Sequence, residues 1–290
     1  RLFEVLDYEP EIEDDPRPTA GSQIQGRVEF CHFSYAYPGA TDEAIHDISL
    51  TVDAGETVAF LGRIGCGKST VLRSLVRMND PAPGMLLIDG EDVRAYPLQQ
   101  LRSQVALIPQ DPFLFSLTIR DNLTYDEPDR DMPPIEHAAQ LAELLDAIDE
   151  FPDGMETVVG ERGITLSGGQ KQRATLARGL IRDARILAMD DCFSSVDTRT
   201  EERILGRLKE VRQGRTTLLV SHRVSTARHA DRIFVMENGR ILESGTHAEL
   251  MMKGGYYADL EAVQSNQDQD RERKAALLKN LDVDVRVVNG

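Results

Sequence analysis

A mostly parallel α/β fold is what this sequence predicts, as one large domain or as a core with a smaller subdomain. Three observations point there. The 290 residues, 41% of them hydrophobic, suffice for a sizeable buried core. Short, solidly apolar runs recur along the chain, as they do in strands covered on both faces. Amphipathic helical spacings fall between several of those runs, the alternation expected of a parallel sheet covered by helices.

The elements follow in order. Residues 1–25 are acidic and proline-bearing (EPEIEDDPRPTAG), the composition of a linker. With Arg1 in place of an initiator Met and no signal-peptide pattern, the chain reads as a piece of something longer. β-preferring residues begin near Val28 (VEFCHFSYAYP), and ISLTVDAGETVAFLG alternates before turning solidly apolar. Further runs of the parallel-sheet type are Met85–Asp89, Val105–Pro109, Arg185–Asp191 and Thr216–Ser221. Helices are expected over Ser69–Met78, over Pro134–Ile148 (Ile135, Ala138, Leu141, Ala142, Leu145) and over Gly169–Arg182 (Ala174, Ala177, Leu180, Ile181). Asn238-Gly239 between two apolar runs predicts a hairpin. From about Ser265 to Gly290 the sequence is a polar, charged tail.

Composition excludes several classes. The net charge of −16 opposes the basic footprint of a nucleic-acid binder, so no nucleic-acid partner is expected. Cys31, Cys66 and Cys192 have no paired spacing, which speaks against a disulfide framework or a zinc site. No run approaches the roughly 18–20 apolar residues of a membrane helix. Work on a membrane would need another segment or chain to cross it.

Gly62-Arg63-Ile64-Gly65-Cys66-Gly67-Lys68-Ser69-Thr70 matches G-x-x-x-x-G-K-[ST], placed after an apolar strand and opening a helix. Glycines allow backbone N–H groups to turn inward around phosphates, and the helix N-terminus adds partial positive charge. Lys68 can reach the β- and γ-phosphates, and the Ser69 hydroxyl can ligate Mg²⁺. Downstream, four apolar residues lead to Asp190 at a strand end, where a carboxylate can hold the metal through water. A nucleotide triphosphate and Mg²⁺ are therefore the expected ligands.

Leu166-Ser167-Gly168-Gly169-Gln170 precedes a helix and stands shortly before Asp190. This resembles the signature of ABC ATPases, and the resemblance covers roughly Val28 to Leu260. It implies a P-loop NTPase core bound to ATP, an N-terminal antiparallel β subdomain and an α-helical subdomain at about 111–182 within a 26–264 domain. It also implies that Ser167, Gly168, Gly169 and Gln170 face the γ-phosphate held by a second ABC domain. By the same resemblance, Tyr37 stacks on adenine, Gln110 touches Mg²⁺ or the attacking water, and Ser195-Val196-Asp197 crosses the dimer interface. His222 senses the γ-phosphate, and Thr157–Gly163 contacts membrane-domain loops. The opening LFEVLDYEPEIEDDP looks like the junction after the last membrane helix of exporters. An exporter half at the cytoplasmic face of a membrane is thus implied, partnered by transmembrane domains.

One position departs from the family. Where efficient members carry Glu as general base, this chain has Asp191. One methylene fewer withdraws the carboxylate by about 1.5 Å. A base must come within about 2.6–3.2 Å of its proton, and a displacement of about 1 Å can cost on the order of a hundredfold. Slow hydrolysis is expected, as in the degenerate site of a heterodimeric exporter, with the intact signature serving the partner's site; a homodimer that tolerates Asp here is the alternative. Cys66, inside the loop near a helix N-terminus, is expected to be a thiol that reagents modify and ATP protects. The rivals are an ATP-gated clamp of DNA repair, opposed by the short gap between loop and signature and by the acidic charge, and a translation-associated ABC protein, opposed by the exporter-like linker.

Overall fold

The computed structural model describes residues 12–15, 23–160, 165–211 and 214–267. Its centre is a six-stranded sheet in the order β10-β9-β3-β8-β7-β6. Every residue of β3 (Thr57–Gly62), β7 (Ile186–Asp190) and β8 (Thr216–Ser221) is buried, which explains the solid apolar runs. Successive side chains still point to opposite faces. In β3, Val58 and Phe60 enter one core while Ala59 and Leu61 enter another. In β7, Ile186 and Ala188 part in the same way from Leu187 and Met189. β6 (Val105–Ile108) and β9 (Arg232–Glu237) extend the parallel pairing on either side. β10 (Arg240–Gly245) returns antiparallel to β9 through Asn238 and Gly239, at φ 47° and 74°, the left-handed pair of a two-residue hairpin turn.

One face of this sheet carries the second sheet, of order β2-β1-β4-β5. β1 (Val28–Tyr35) pairs antiparallel with β2 (Ile45–Val52) and with β4 (Leu86–Ile88), and β5 (Glu91–Asp92) completes the edge. The stretch ISLTVDAGETVAFLG therefore divides, β2 going to one sheet and β3 to the other. The run Met85–Asp89, expected in the parallel sheet, belongs instead to the antiparallel one. Only Leu86 and Ile88 of β4 face the core, and a three-residue run is too short to reveal that alternation. Core residues also begin earlier than Val28, because Ile24 is wholly buried. The Asp89 carboxylate holds that entry, accepting from the amides of Gln25 (2.6 Å), Gly26 (3.0 Å) and Arg27 (2.9 Å).

The opposite face is covered by helices. α1 (Lys68–Leu75) lies with the antiparallel sheet, while α3 (Ile119–Leu123), α4 (Met132–Leu141), α5 (Leu145–Asp149), α6 (Gly168–Leu180) and α7 (Thr198–Val211) build the other large cluster. α2 (Leu98–Gln104) leads into β6, and α8 (Val224–Ala227) and α9 (His247–Lys253) cover β3 and β9 with helical residues 256–267. The single helix expected over Pro134–Ile148 is two, broken at Glu143 with φ 54°. The Glu143 carboxylate meets Arg203 (2.8 Å) and Arg207 (2.6 Å) of α7, and those ion pairs hold the left-handed residue at the break. α6 packs flush on β6, since a Cβ at Gly179 would lie 2.3 Å from Ile108 Cγ1. Among the described residues no helix is long and apolar enough to cross a membrane.

Candidate functional site

The C-terminal ends of β3, β6, β7 and β8 open into one cavity of about 270 Å³. The loop leaving β3 runs through Gly65 and Gly67, at φ 85° and 100°, a turn that side-chain-bearing residues rarely make. A Cβ at Gly67 would also strike the Ala44 carbonyl at 2.7 Å. No side chain caps α1, and although Thr70 N turns back to the Gly67 carbonyl (3.1 Å), the amides of Lys68 and Ser69 open the helix toward an anion. Lys68 is buried, its Nζ donating to the carbonyls of Gly62 (2.7 Å) and Arg63 (2.8 Å). Cys66 Sγ is a third neutral neighbour at 3.6 Å, and among the described residues no carboxylate forms an ion pair with this ammonium, the state in which it can pair with a phosphate.

Tyr37, Gly65, Gly67, Lys68, Ser69 and Thr70 line the cavity together with Gln110, Asp191 and His222. The Tyr37 hydroxyl is 2.9 Å from Thr70 Oγ1, and its ring meets Tyr35 edge-on, so the aromatic face sits at the rim. Gly62 and Cys66 stand behind the loop. Cys66 is only 7% exposed and packs into the core between the sheets, so its thiol is sheltered rather than presented to the cavity. Its carbonyl accepts from Gly239 N (3.2 Å), and the Gly239 carbonyl accepts from His46 N (2.9 Å). The hairpin tip is thereby clasped against the loop.

Ser69 Oγ donates to Asp190 Oδ1 at 2.7 Å. Burial pushes the Asp190 carboxyl above its usual range, with the Ser69 hydrogen bond and the nearby Arg73 and Lys68 charges pulling the other way. A hydroxyl and a carboxylate converging on one point form the hard oxygen set that Mg²⁺ takes, and a cation there would offset the buried charge. Asp191, at φ 44°, presents its carboxylate to His222 Nδ1 at 3.0 and 3.1 Å. Gln110 Nε2 donates to the same carboxylate at 3.4 Å. Three residues from three strand ends thus form one cluster at the cavity wall.

The signature lies elsewhere. Ser167 caps α6, its Oγ accepting from Gln170 N (3.2 Å) while Gln170 Oε1 accepts from Ser167 N (2.8 Å). Gly168 and Gly169 face Ser195, whose carbonyl would lie 3.0 Å from a Cβ at Gly169. Asp197 accepts from Thr200 N at 3.0 Å, and that bond holds its carboxyl below the usual range. None of Ser167, Gly168, Gly169 and Gln170 lines the Lys68 cavity. A second cavity, of about 340 Å³, lies between Phe113, Leu114, Val159, Gly160, Leu166 and Lys171. Of the segment Thr157–Gly163, residues 161–163 lie outside the described residues.

Several contacts leave no trace in residue patterns. Gln172 of α6 donates to Ser194 Oγ (2.9 Å) and accepts from Ser195 N (2.7 Å), joining the signature helix to the loop after β7. Arg178 donates to the carbonyls of Asn122 (2.6 Å) and Phe113 (2.8 Å), and burial lowers its proton affinity. Buried Glu201 pairs with Arg223 at 2.6 Å, next to His222, although burial raises its carboxyl's pKa.

The profile of the family described as ABC transporter matches residues 45–194. The chain is 42% identical over 266 residues to an ATP-dependent lipid A-core flippase of Alkalilimnicola ehrlichii, covering 91% of this chain and 45% of that protein. It is 43% identical over 267 residues to the flippase of the same name from Sodalis glossinidius, covering 92% and 46%. A bacterial Atm1-family ABC exporter solved with ATP bound superposes with a TM-score of 0.84 at 38% identity, covering 91% of this chain and 46% of that one. The chain spans about half the length of the relatives it matches. With the phosphate loop, the strand-end acids and the separate signature in place, this chain belongs to the ABC transporter family.

Proposed function

We propose that this chain is the ATP-powered motor domain of an exporter, working at the cytoplasmic face of a membrane against transmembrane domains and a second nucleotide-binding domain. The observation that carries it is the separation of the Lys68 cavity from the Ser167–Gln170 turn. One copy holds half of each composite site, so ATP in the cavity would be covered by the signature of a partner. The exporter relatives support the membrane role, and the cavity flanked by exposed Phe113 suits an apolar loop of a transmembrane domain. In this reading residues 26–264 form the ATPase domain, with a helical part at about 111–182, and residues 1–25, of which Ile24 and Gln25 are already fixed to the domain, join it to the membrane part.

The residues around the cavity divide the work in this reading. Tyr37 offers its ring to adenine, and Lys68 exchanges two carbonyls for the β- and γ-phosphates. Ser69, Asp190 and Gln110 would hold Mg²⁺, which supplies neutralisation of the phosphate charge when bound. His222 and Gln110 orient the Asp191 carboxylate, which would take a proton from water. That carboxylate is one methylene short of the usual base, so this site turns over slowly and the partner's site, covered by this chain's signature, carries the fast cycle. Replacing Lys68 with Ala tests the assignment in the assembled transporter. ATP binding by this chain should weaken at least about tenfold, the loss of one charge-assisted contact. Unchanged affinity for MgATP would refute the cavity as the nucleotide site.

A further inference from the structure

We infer that Gln264 is a positioning residue for His222, set there by a helical strut that runs back to β10. The loop leaving β8 has to place the His222 ring against the Asp191 carboxylate at the cavity wall. One amide side chain spans that loop. Gln264 Nε2 donates to the His222 carbonyl at 2.7 Å, and Gln264 Oε1 accepts from Val224 N at 2.8 Å. Val224 opens α8, and its N-cap residue Arg223 provides no side-chain cap. Without Gln264 that amide would lose its partner, and such first-turn donors are costly to leave unmet. A planar amide that donates on one side and accepts on the other fixes the separation of the two backbone groups it bridges.

The far end of the strut is fastened just as firmly. Glu243, in β10, accepts from the amides of Tyr256 (3.0 Å) and Tyr257 (3.1 Å), capping helical residues 256–267 with a carboxylate from a distant strand. A Cβ at Gly255 would collide with that carboxylate at 2.0 Å from Oε1, so only glycine lets it approach. Tyr257 is wholly buried and its hydroxyl is 2.8 Å from His247 Nδ1. Held at its start by Glu243, the helix presents Gln264 to the His222 loop at a set height. Events at the C-terminal end of this helix therefore reach the γ-phosphate side of the cavity without touching the phosphate loop.

The inference rests on His222 as the group that meets the terminal phosphate, and the test separates the two ideas. In the full-length protein with its partner, Gln264→Met keeps the bulk and removes both hydrogen bonds, while Gln264→Glu keeps only the acceptor for Val224. Affinities for ATP and for ADP are measured on this chain, with the thermal midpoint alongside. The expected result for Gln264→Met is an ATP-over-ADP preference reduced about tenfold, the order of two lost hydrogen bonds. ADP affinity should stay close to wild type and the midpoint should fall by only about a few degrees for the unmet Val224 amide, while Gln264→Glu should lose at least as much of the ATP preference, because its second oxygen faces the His222 carbonyl. An unchanged preference, or an equal loss of both nucleotides together with the midpoint, would overturn the positioning role. A wild-type chain that binds ATP but drives no hydrolysis in the assembly would instead count against the motor reading and leave the preference test decisive for Gln264.

Discussion

Asp191 concentrates the chemistry of this site in one residue. Its backbone is left-handed at φ 44°, a region that Asp tolerates better than longer side chains. Its carboxylate is met by His222 Nδ1 and, at 3.4 Å, by Gln110 Nε2. Glu at this position should reach farther into the cavity and raise hydrolysis by this chain on the order of ten- to a hundredfold. The same change should lower stability by up to about 1 kcal/mol through backbone strain. Steady-state phosphate release and a denaturation curve on Asp191→Glu check both halves, and no gain in rate would remove the proposed link between the short side chain and slow turnover. Asp191 stands out in the sequence because it directly follows the apolar run ending in Asp190, the position that the family resemblance gives to a base. Gln172 and Gln264 do not, because each bonds to backbone groups or hydroxyls far along the chain, and such contacts impose no pattern on composition.

Elements were legible where one physical cause dominated. Burial on both faces made β3, β6, β7 and β8 plain, and the need for positive φ made the Asn238-Gly239 turn plain. β4 and the α4–α5 break depart from the sequence expectation because tertiary contacts decide them: pairing with β1 in one case, ion pairs to α7 in the other. α7 went unforeseen although Ile204, Leu205 and Leu208 give it a buried stripe, since its other positions are dominated by charge. Close approach of α6 to β6 is a further contact that only the folded chain reveals. Gly179→Ala should cost about 1–3 kcal/mol by overpacking against Ile108. Adding Ile108→Ala removes the clashing atoms, so the double variant should lose less than the sum of the singles in chemical denaturation. Strict additivity would mean that the two side chains do not meet.

At the scale of the whole molecule, two sheets and a helical layer share one central wall, and the chain as a whole carries a net charge of −16. Like charges repel across a Debye length of about 30 Å at 0.01 M salt and only about 8 Å at 0.15 M. Thermal stability should therefore rise over that range of sodium chloride, by roughly a few degrees for about 1 kcal/mol of relieved repulsion. A midpoint insensitive to salt would show that the acidic groups are locally neutralised. The clasp between the β9–β10 turn and the phosphate loop has a practical corollary for anyone wishing to graft a reporter peptide into this protein. Exposed hairpin tips ordinarily accept foreign sequence, but Gly239 is wedged against the Ala44 carbonyl and tied to Cys66, so cargo placed there would be felt by the ligand. Empty space alone is no better guide, for at Gly84 an added atom would meet nothing, yet its φ of 78° and its amide's hydrogen bond to Asp92 Oδ2 (2.5 Å) bind that turn too.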